Sequence, residues 1–179
     1  MILLGSEDGL HTMWRIELLH PMIVHWPIVV SSLAAVFWVV ARAGRWWLPL
    51  RAFGWPATVL IVLAAGTAWL AVLTGSWADA VVSRDLYDPR PLEAHENNAK
   101  LMSWLLVAAA VLESGRYVPR LPRRLRVGSA AVVLLLLLSS AGLMAWTAHL
   151  GASLVYQQGA GVVMPEADAK TDDAPAASP

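Results

Sequence analysis

Cysteine is absent from this 179-residue chain. Its absence excludes disulfides, thiolate metal centres and cysteine nucleophiles. Charge is scarce as well: Asp, Glu, Lys and Arg make up 15% of the residues, against about 25% in an ordinary soluble domain. Thirteen basic and 13 acidic residues cancel to a formal zero, so no overall charge marks the chain for nucleic acid. The patterns Gly-x-Ser-x-Gly and His-Glu-x-x-His and any glycine-rich phosphate loop are missing, leaving serine hydrolases, zincins and P-loop enzymes unsupported. Phenylalanine occurs twice and tyrosine three times, yet tryptophan occurs ten times. Tryptophan in such excess suits the belts at membrane–water interfaces.

What is present is apolar. Hydrophobic residues make up 58% of the chain, and mean hydropathy is +0.56. Four apolar stretches are long enough to cross a bilayer, which takes ~20 residues of helix: 22–41, 55–76, 94–112 and 129–156. The third is the weakest, because Glu96, Asn97, Asn98 and Lys100 occupy its first turns. Short connections between such stretches predict an all-α fold, an integral membrane four-helix up-down bundle. The membrane domain covers 21–163. Residues 1–20 read as an interfacial segment with Trp14 as anchor; Glu7, Asp8, Arg15 and Glu17 make them unlike a cleavable signal peptide. The tail 164–179, rich in Ala, Asp, Pro and Ser, reads as disordered. No internal repeat is visible.

Arginine sets the expected orientation. Arg42, Arg45 and Arg51 follow the first stretch, and Arg116, Arg120, Arg123, Arg124 and Arg126 follow the third. Short loops rich in Lys and Arg stay in the cytoplasm. Both termini then face the outer, periplasmic side of a bacterial cytoplasmic (inner) membrane that the chain crosses several times. Trp46, Trp47 and Trp55 would form the inner belt, and Trp14, Trp26 and Trp77 the outer one. On this split the inner loops hold eight Arg against Glu113, a formal +7, which leaves −7 outside. The neutrality is a cancellation across the bilayer, and the arginines are accounted for by topology and anionic lipid rather than nucleic acid.

Histidine carries the functional signal. His20 and His25 open the first stretch, His95 opens the third, and His149 lies towards the end of the fourth. An up-down bundle brings those places to one outer end. His25 lies roughly 6–8 Å along the helix from Pro21, inside an apolar run where an ionisable residue usually marks a pathway or cofactor. Neutral imidazole is the usual axial ligand of b-type haem between bundle helices. His20 and His25 are about 140° apart around a helix, so ligands from different helices make a better pair. The reading takes His25 as first axial ligand of haem iron, His95 or His149 as its opposite, and His20 as support or alternate. The plain alternative for each, above all for His11, is a solvated interfacial histidine.

Other features are read as structural. Pro27 removes the partner of the Ile23 carbonyl and predicts a kink beside His25. Gly66, Gly75, Ser139, Ser140, Gly142, Gly151 and Gly159 suit close helix contact, with Gly151 and Gly159–Gly161 open to approach by a haem edge instead. Met22, Met102 and Met144 read as filler, and without cysteine a copper site has little to build on.

The run His20-Pro21-Met22-Ile23-Val24-His25-Trp26-Pro27 resembles the His-Pro-x-x-Val-His-Phe-Pro opening of a bacterial family of predicted four-helix membrane proteins of unknown function. The likeness extends over about residues 18–163, through Thr74-Gly75, His95-Glu96 and the stretch from Leu150-Gly151 to Gly161-Val162. Trp26 replaces the usual Phe. Gln158 stands where many members have His, which argues against a second cofactor. Relatives fused to cytochrome c-like domains imply redox work. Together these readings point to a haem b protein that passes electrons between a periplasmic carrier and quinone or a partner subunit in a membrane redox complex, rather than a stand-alone enzyme. The alternatives are a non-catalytic subunit that anchors or assembles a larger complex, and metal or proton handling at the outer face.

Overall fold

A computed structural model describes residues 15–44, 52–119 and 122–162. The segment through Trp14, the loop carrying Arg45, Trp46, Trp47 and Arg51, the loop residue Arg120 and the tail 164–179 lie outside the described residues. Everything regular in the described part is helical.

Four antiparallel helical units follow one another. The first runs Ile16–Ala43 and is broken into a 3-10 turn at Ile16–Leu18, α1 at Leu19–Ile23 and α2 at His25–Ala43. The break falls at Val24, three residues before Pro27. There the chain keeps Val24 N–H on His20 O at 3.0 Å, while Ile28 N–H to Val24 O stretches to 3.4 Å. The proline thus interrupts the first unit as its ring and missing donor require. The others are α3 at Gly54–Val82, α4 at Arg90–Gly115 and α5 at Arg123–Gln158. α5 stops at Gly159, whose φ of 67° is left-handed and accommodated by glycine; Ala160 N–H then closes on Leu154 O at 3.1 Å.

Three units are long and apolar enough to cross a membrane: the first, the one from Gly54 to Asp85, and the one from Gly128 to Gln158. α4 falls short for the reason visible in its sequence. Its first turns carry Glu93, His95, Glu96, Asn97, Asn98 and Lys100, and only its second half is apolar. The core runs down the bundle through Ala34, Trp38, Ile61, Ala64, Leu106, Ala109, Val133 and Leu137. Mostly small side chains on α3 let the helices approach closely, which is how apolar helices gain contact where no hydrophobic drive exists between them and lipid. Gly66 and Gly142 take no part, because a Cβ on either would touch nothing within 4 Å.

The packing uncovers a repeat that side-chain identity hides. Buried Pro27, Ala34 and Trp38 of α2 correspond to buried Met102, Ala109 and Glu113 of α4 at an offset of 75 positions. Buried Ala57, Ile61, Ala64 and Ala71 of α3 correspond to Val133, Leu137, Ser140 and Thr147 of α5 at an offset of 76. One two-helix hairpin is used twice in the same direction, the arrangement of parallel repeats about an axis along the bundle.

At the arginine-rich end the hairpins are tied by charge. Glu113 is 1% exposed and accepts Arg42 Nη2 at 2.8 and 2.9 Å, Arg116 Nη1 at 2.5 Å and Trp38 Nε1 at 3.0 Å. Arg42 also lies 4.5 Å over the Trp38 ring. Expected only as loop charge, Glu113 is instead a buried tie between α2 and α4. A carboxylate placed there needs its cations, since an unpaired buried charge is costly.

Candidate cofactor site

At the other end the starts of the first unit and α4 meet the last thirds of α3 and α5. Two histidines face each other there across the bundle. The rings of His20 and His95 stand 6.1 Å apart between centroids, at 83° to one another. Each is held in the same way by the second helix of its own hairpin. His20 Nδ1 lies 3.0 Å from Ala71 O, and His95 Nδ1 lies 2.8 Å from Thr147 O. A carbonyl oxygen only accepts, so Nδ1 carries the proton in both rings and Nε2 keeps its lone pair. Neither Nε2 has a protein hydrogen bond among the described residues.

Glycine makes room for both rings. A Cβ on Gly75 would stand 3.1 Å from His20 Cε1, and one on Gly151 would stand 3.1 Å from His95 Cε1. Within each helix the accepting carbonyl and the glycine are four residues apart, one above the other on the same face. Carbonyl and glycine together form a slot for an imidazole, and each hairpin builds one.

The histidines open on a cavity of about 640 Å³. Its walls are apolar and small-sided: Ala68, Ala71 and Ala78 of α3, Ala99 of α4, Ala148 and Ala152 of α5. Glu17, Asp79 and Glu96 are its acidic lining residues, and no Lys or Arg lines it among the described residues. Thr147 adds an unsatisfied group. It is 8% exposed, lines the cavity, and its Oγ1 has no hydrogen-bond partner among the described residues. Thr58, Thr67 and Thr74 instead turn their hydroxyls back onto carbonyls of their own helix, at 3.1, 2.9 and 3.1 Å.

The four candidate histidines therefore separate. His20 and His95 form the pair. His25 lines the cavity but is exposed, being displaced around the helix from His20 across the Val24 break. His149 is outside the lining; exposed, it stacks on Trp146 at 5.4 Å. At 100° per residue, His149 is turned some 200° from Thr147, so the residue that shares its depth with the cavity faces away from it. His11 lies outside the described residues. Among the described residues no three His, Asp or Glu side chains gather as for a metal ion. Gln158 is occupied structurally, its Oε1 accepting Asp88 N–H of the α3–α4 loop at 3.1 Å. Arg90, the first residue of α4, bonds to Asp88 in that loop and holds its carboxyl below the ordinary value. The slot residues Ala71 and Thr147 carried no chemical signal in the sequence, because they act through their backbone.

Over residues 17–164 the chain matches a family model described as a predicted membrane protein. No curated protein and no solved structure matches it.

Proposed function

The chain belongs to that family, DUF2231, and from this premise we propose that its membrane bundle holds a b-type haem between His20 and His95 and serves electron transfer. The observation that carries the reading is the matched pair of imidazoles. An iron held by one nitrogen of each ring, with bonds of about 2.0 Å and about 1.1 Å from each nitrogen to its ring centre, would need ring centres up to about 6.2 Å apart. The two rings stand at 6.1 Å. Their Nδ1 protons are committed to carbonyls, the outer-shell bond that ligating histidines make and that fixes the tautomer. Small apolar walls suit a flat apolar macrocycle. Among the described residues the lining offers no Lys or Arg to pair with haem carboxylates, which would therefore need water. A haem held by both His20 and His95 would supply electron transfer rather than oxygen chemistry. The chain's residues would orient the group, exclude water and hold the ligand protons away from iron. Under the orientation expected from the arginines, the site lies near the outer face.

The test is an optical spectrum of the full chain purified in mild detergent with haem supplied. A low-spin b-type spectrum, lost in both His20→Ala and His95→Ala, is the expected result. A colourless protein overturns the reading. Colourless protein that travels with a stable partner supports an accessory or anchoring subunit instead.

A further inference from the structure

Two hairpins that repeat each other present two seams, and symmetry would close both alike. They differ. The α3–α4 seam is packed, with Trp69 and Trp104 edge to face at 5.0 Å and Thr58 bonded to Tyr117 at 3.2 Å. Between the first unit and α5 the helices touch far less. There, among the described residues, Ser31 Oγ reaches Met144 Sδ at 3.4 Å.

The cavity follows that difference. Every exposed residue in its lining belongs to the first unit or to α5, including His25, Ile28, Ala148, Ala152 and Val155. Those contributed by α3 and α4 are buried or half-buried. The mouth therefore faces sideways. From Arg42 to His25 is 17 residues, about 25 Å of helix, against a hydrocarbon thickness of about 30 Å. The sideways mouth thus meets the bilayer just inside its boundary.

We propose that this mouth takes a quinol dissolved in the bilayer, its head group at the opening beside His25, Ala148 and Ala152 rather than in the inner part between His20 and His95 assigned to haem, and its isoprenoid tail in lipid. The inference rests on the electron-transfer reading for its purpose, but not for its geometry. A lipid phosphate would face the carboxylates of Glu17, Asp79 and Glu96 with no Lys or Arg in the lining among the described residues, Arg15 and Lys100 being paired with Glu17 and Glu96 from outside it, whereas a quinol head is neutral. Its oxygen is an acceptor for the Thr147 hydroxyl, which is buried without a partner among the described residues and would reach the cavity by turning about its Cα–Cβ bond. Its ring suits walls of alanine. His25, an exposed imidazole at a mouth where Tyr156 is the other exposed titratable residue among those described, takes the proton. On oxidation both quinol O–H bonds break, and two protons pass by way of His25 to water. The two electrons would leave in successive one-electron steps, each passed on through a haem held by His20 and His95 to a one-electron carrier of the cytochrome c class, two of which are reduced for each quinone formed.

The full chain in phosphatidylcholine vesicles, illuminated with a photoreactive azido-quinone, tests this directly. Label should fall on the peptides holding His25–Ile28 and Ala148–Val155 and be displaced by unlabelled quinone. Ala148→Trp and Ala152→Trp, both at exposed positions, should each lower the yield about tenfold. Label spread evenly over α3 and α4, or unchanged in both variants, overturns the proposal. These results do not depend on pigment, so a missing haem spectrum and a missing quinol site are separate failures. In pigmented protein, His25→Ala should slow reduction by quinol about a hundredfold and leave reduction by dithionite unchanged. Equal quinol rates in the two proteins would remove His25 from the step.

Discussion

His95 lies against Gly151 with no room for a side chain between them: a Cβ there would stand 3.1 Å from Cε1. Two effects of Gly151→Ala then oppose each other. Replacing a mid-helix glycine by alanine gains about 1 kcal/mol of helix stability. The ring must retreat a few tenths of an ångström, against the bond that ties Nδ1 to Thr147 O at 2.8 Å. The fold should survive, with a melting temperature in detergent at or above that of the parent. Haem titration should show affinity down about tenfold, since outer-shell changes cost about 10–100-fold. Undiminished affinity would show that the slot does not position the ring.

His95 and His149, the two partners that the sequence leaves open as second ligand, are separated by direction. His149→Ala should leave the haem spectrum unchanged, because that ring stacks on Trp146 outside the lining. His20→Ala and His95→Ala should each remove the low-spin form. Loss of the spectrum in His149→Ala together with its retention in His20→Ala would reverse the assignment.

Helices, their number and the break near Pro27 are legible in the sequence, because apolar length and a missing N–H are local properties. The meeting of His20 with His95 is half legible. Topology brings both to one end, but their selection over His25 and His149 depends on azimuth, and the Val24 break alters azimuth in the first unit. Glu113 reads from sequence as loop charge because nothing local announces Arg42, 71 positions away. The repeat is hidden for a different reason. Ala34 recurs as Ala109, but Trp38 recurs as Glu113 and Ala71 as Thr147, so burial is repeated while chemistry is not. Ala71 and Thr147 serve the histidines through carbonyls, which every residue has.

Glu113 should be the most sensitive residue at the arginine end. Glu113→Ala strands Arg42 and Arg116 beside one another and leaves Trp38 Nε1 without its acceptor. Removing one partner of a buried ion pair costs about 3–5 kcal/mol. Trp38→Phe removes one hydrogen bond to the carboxylate and should cost about 1.5–3 kcal/mol, besides the ring contact with Arg42. Thermal unfolding in detergent ranks the variants, with Glu113→Ala expected lowest. A Glu113→Ala protein as stable as the parent would show that the hairpins are held by apolar packing alone.

Thr147 offers the sharpest separation between structure and ligand. Its hydroxyl is buried without a partner among the described residues, and such a group costs about 1–3 kcal/mol. Thr147→Val keeps the shape and removes the polar atom, so the ligand-free protein should be stabilised. At about 2–4 °C per kcal/mol for a chain of this size, melting should rise by several degrees. The azido-quinone yield should fall in the same variant, because the lost hydroxyl is the donor proposed for the head-group oxygen. Thr147→Ser keeps that donor, and should keep the labelling while giving up the extra stability. A lower melting temperature for Thr147→Val would mean that the hydroxyl is already satisfied in the ligand-free protein. Higher melting with undiminished labelling would leave the hydroxyl without a role in holding the occupant of the cavity.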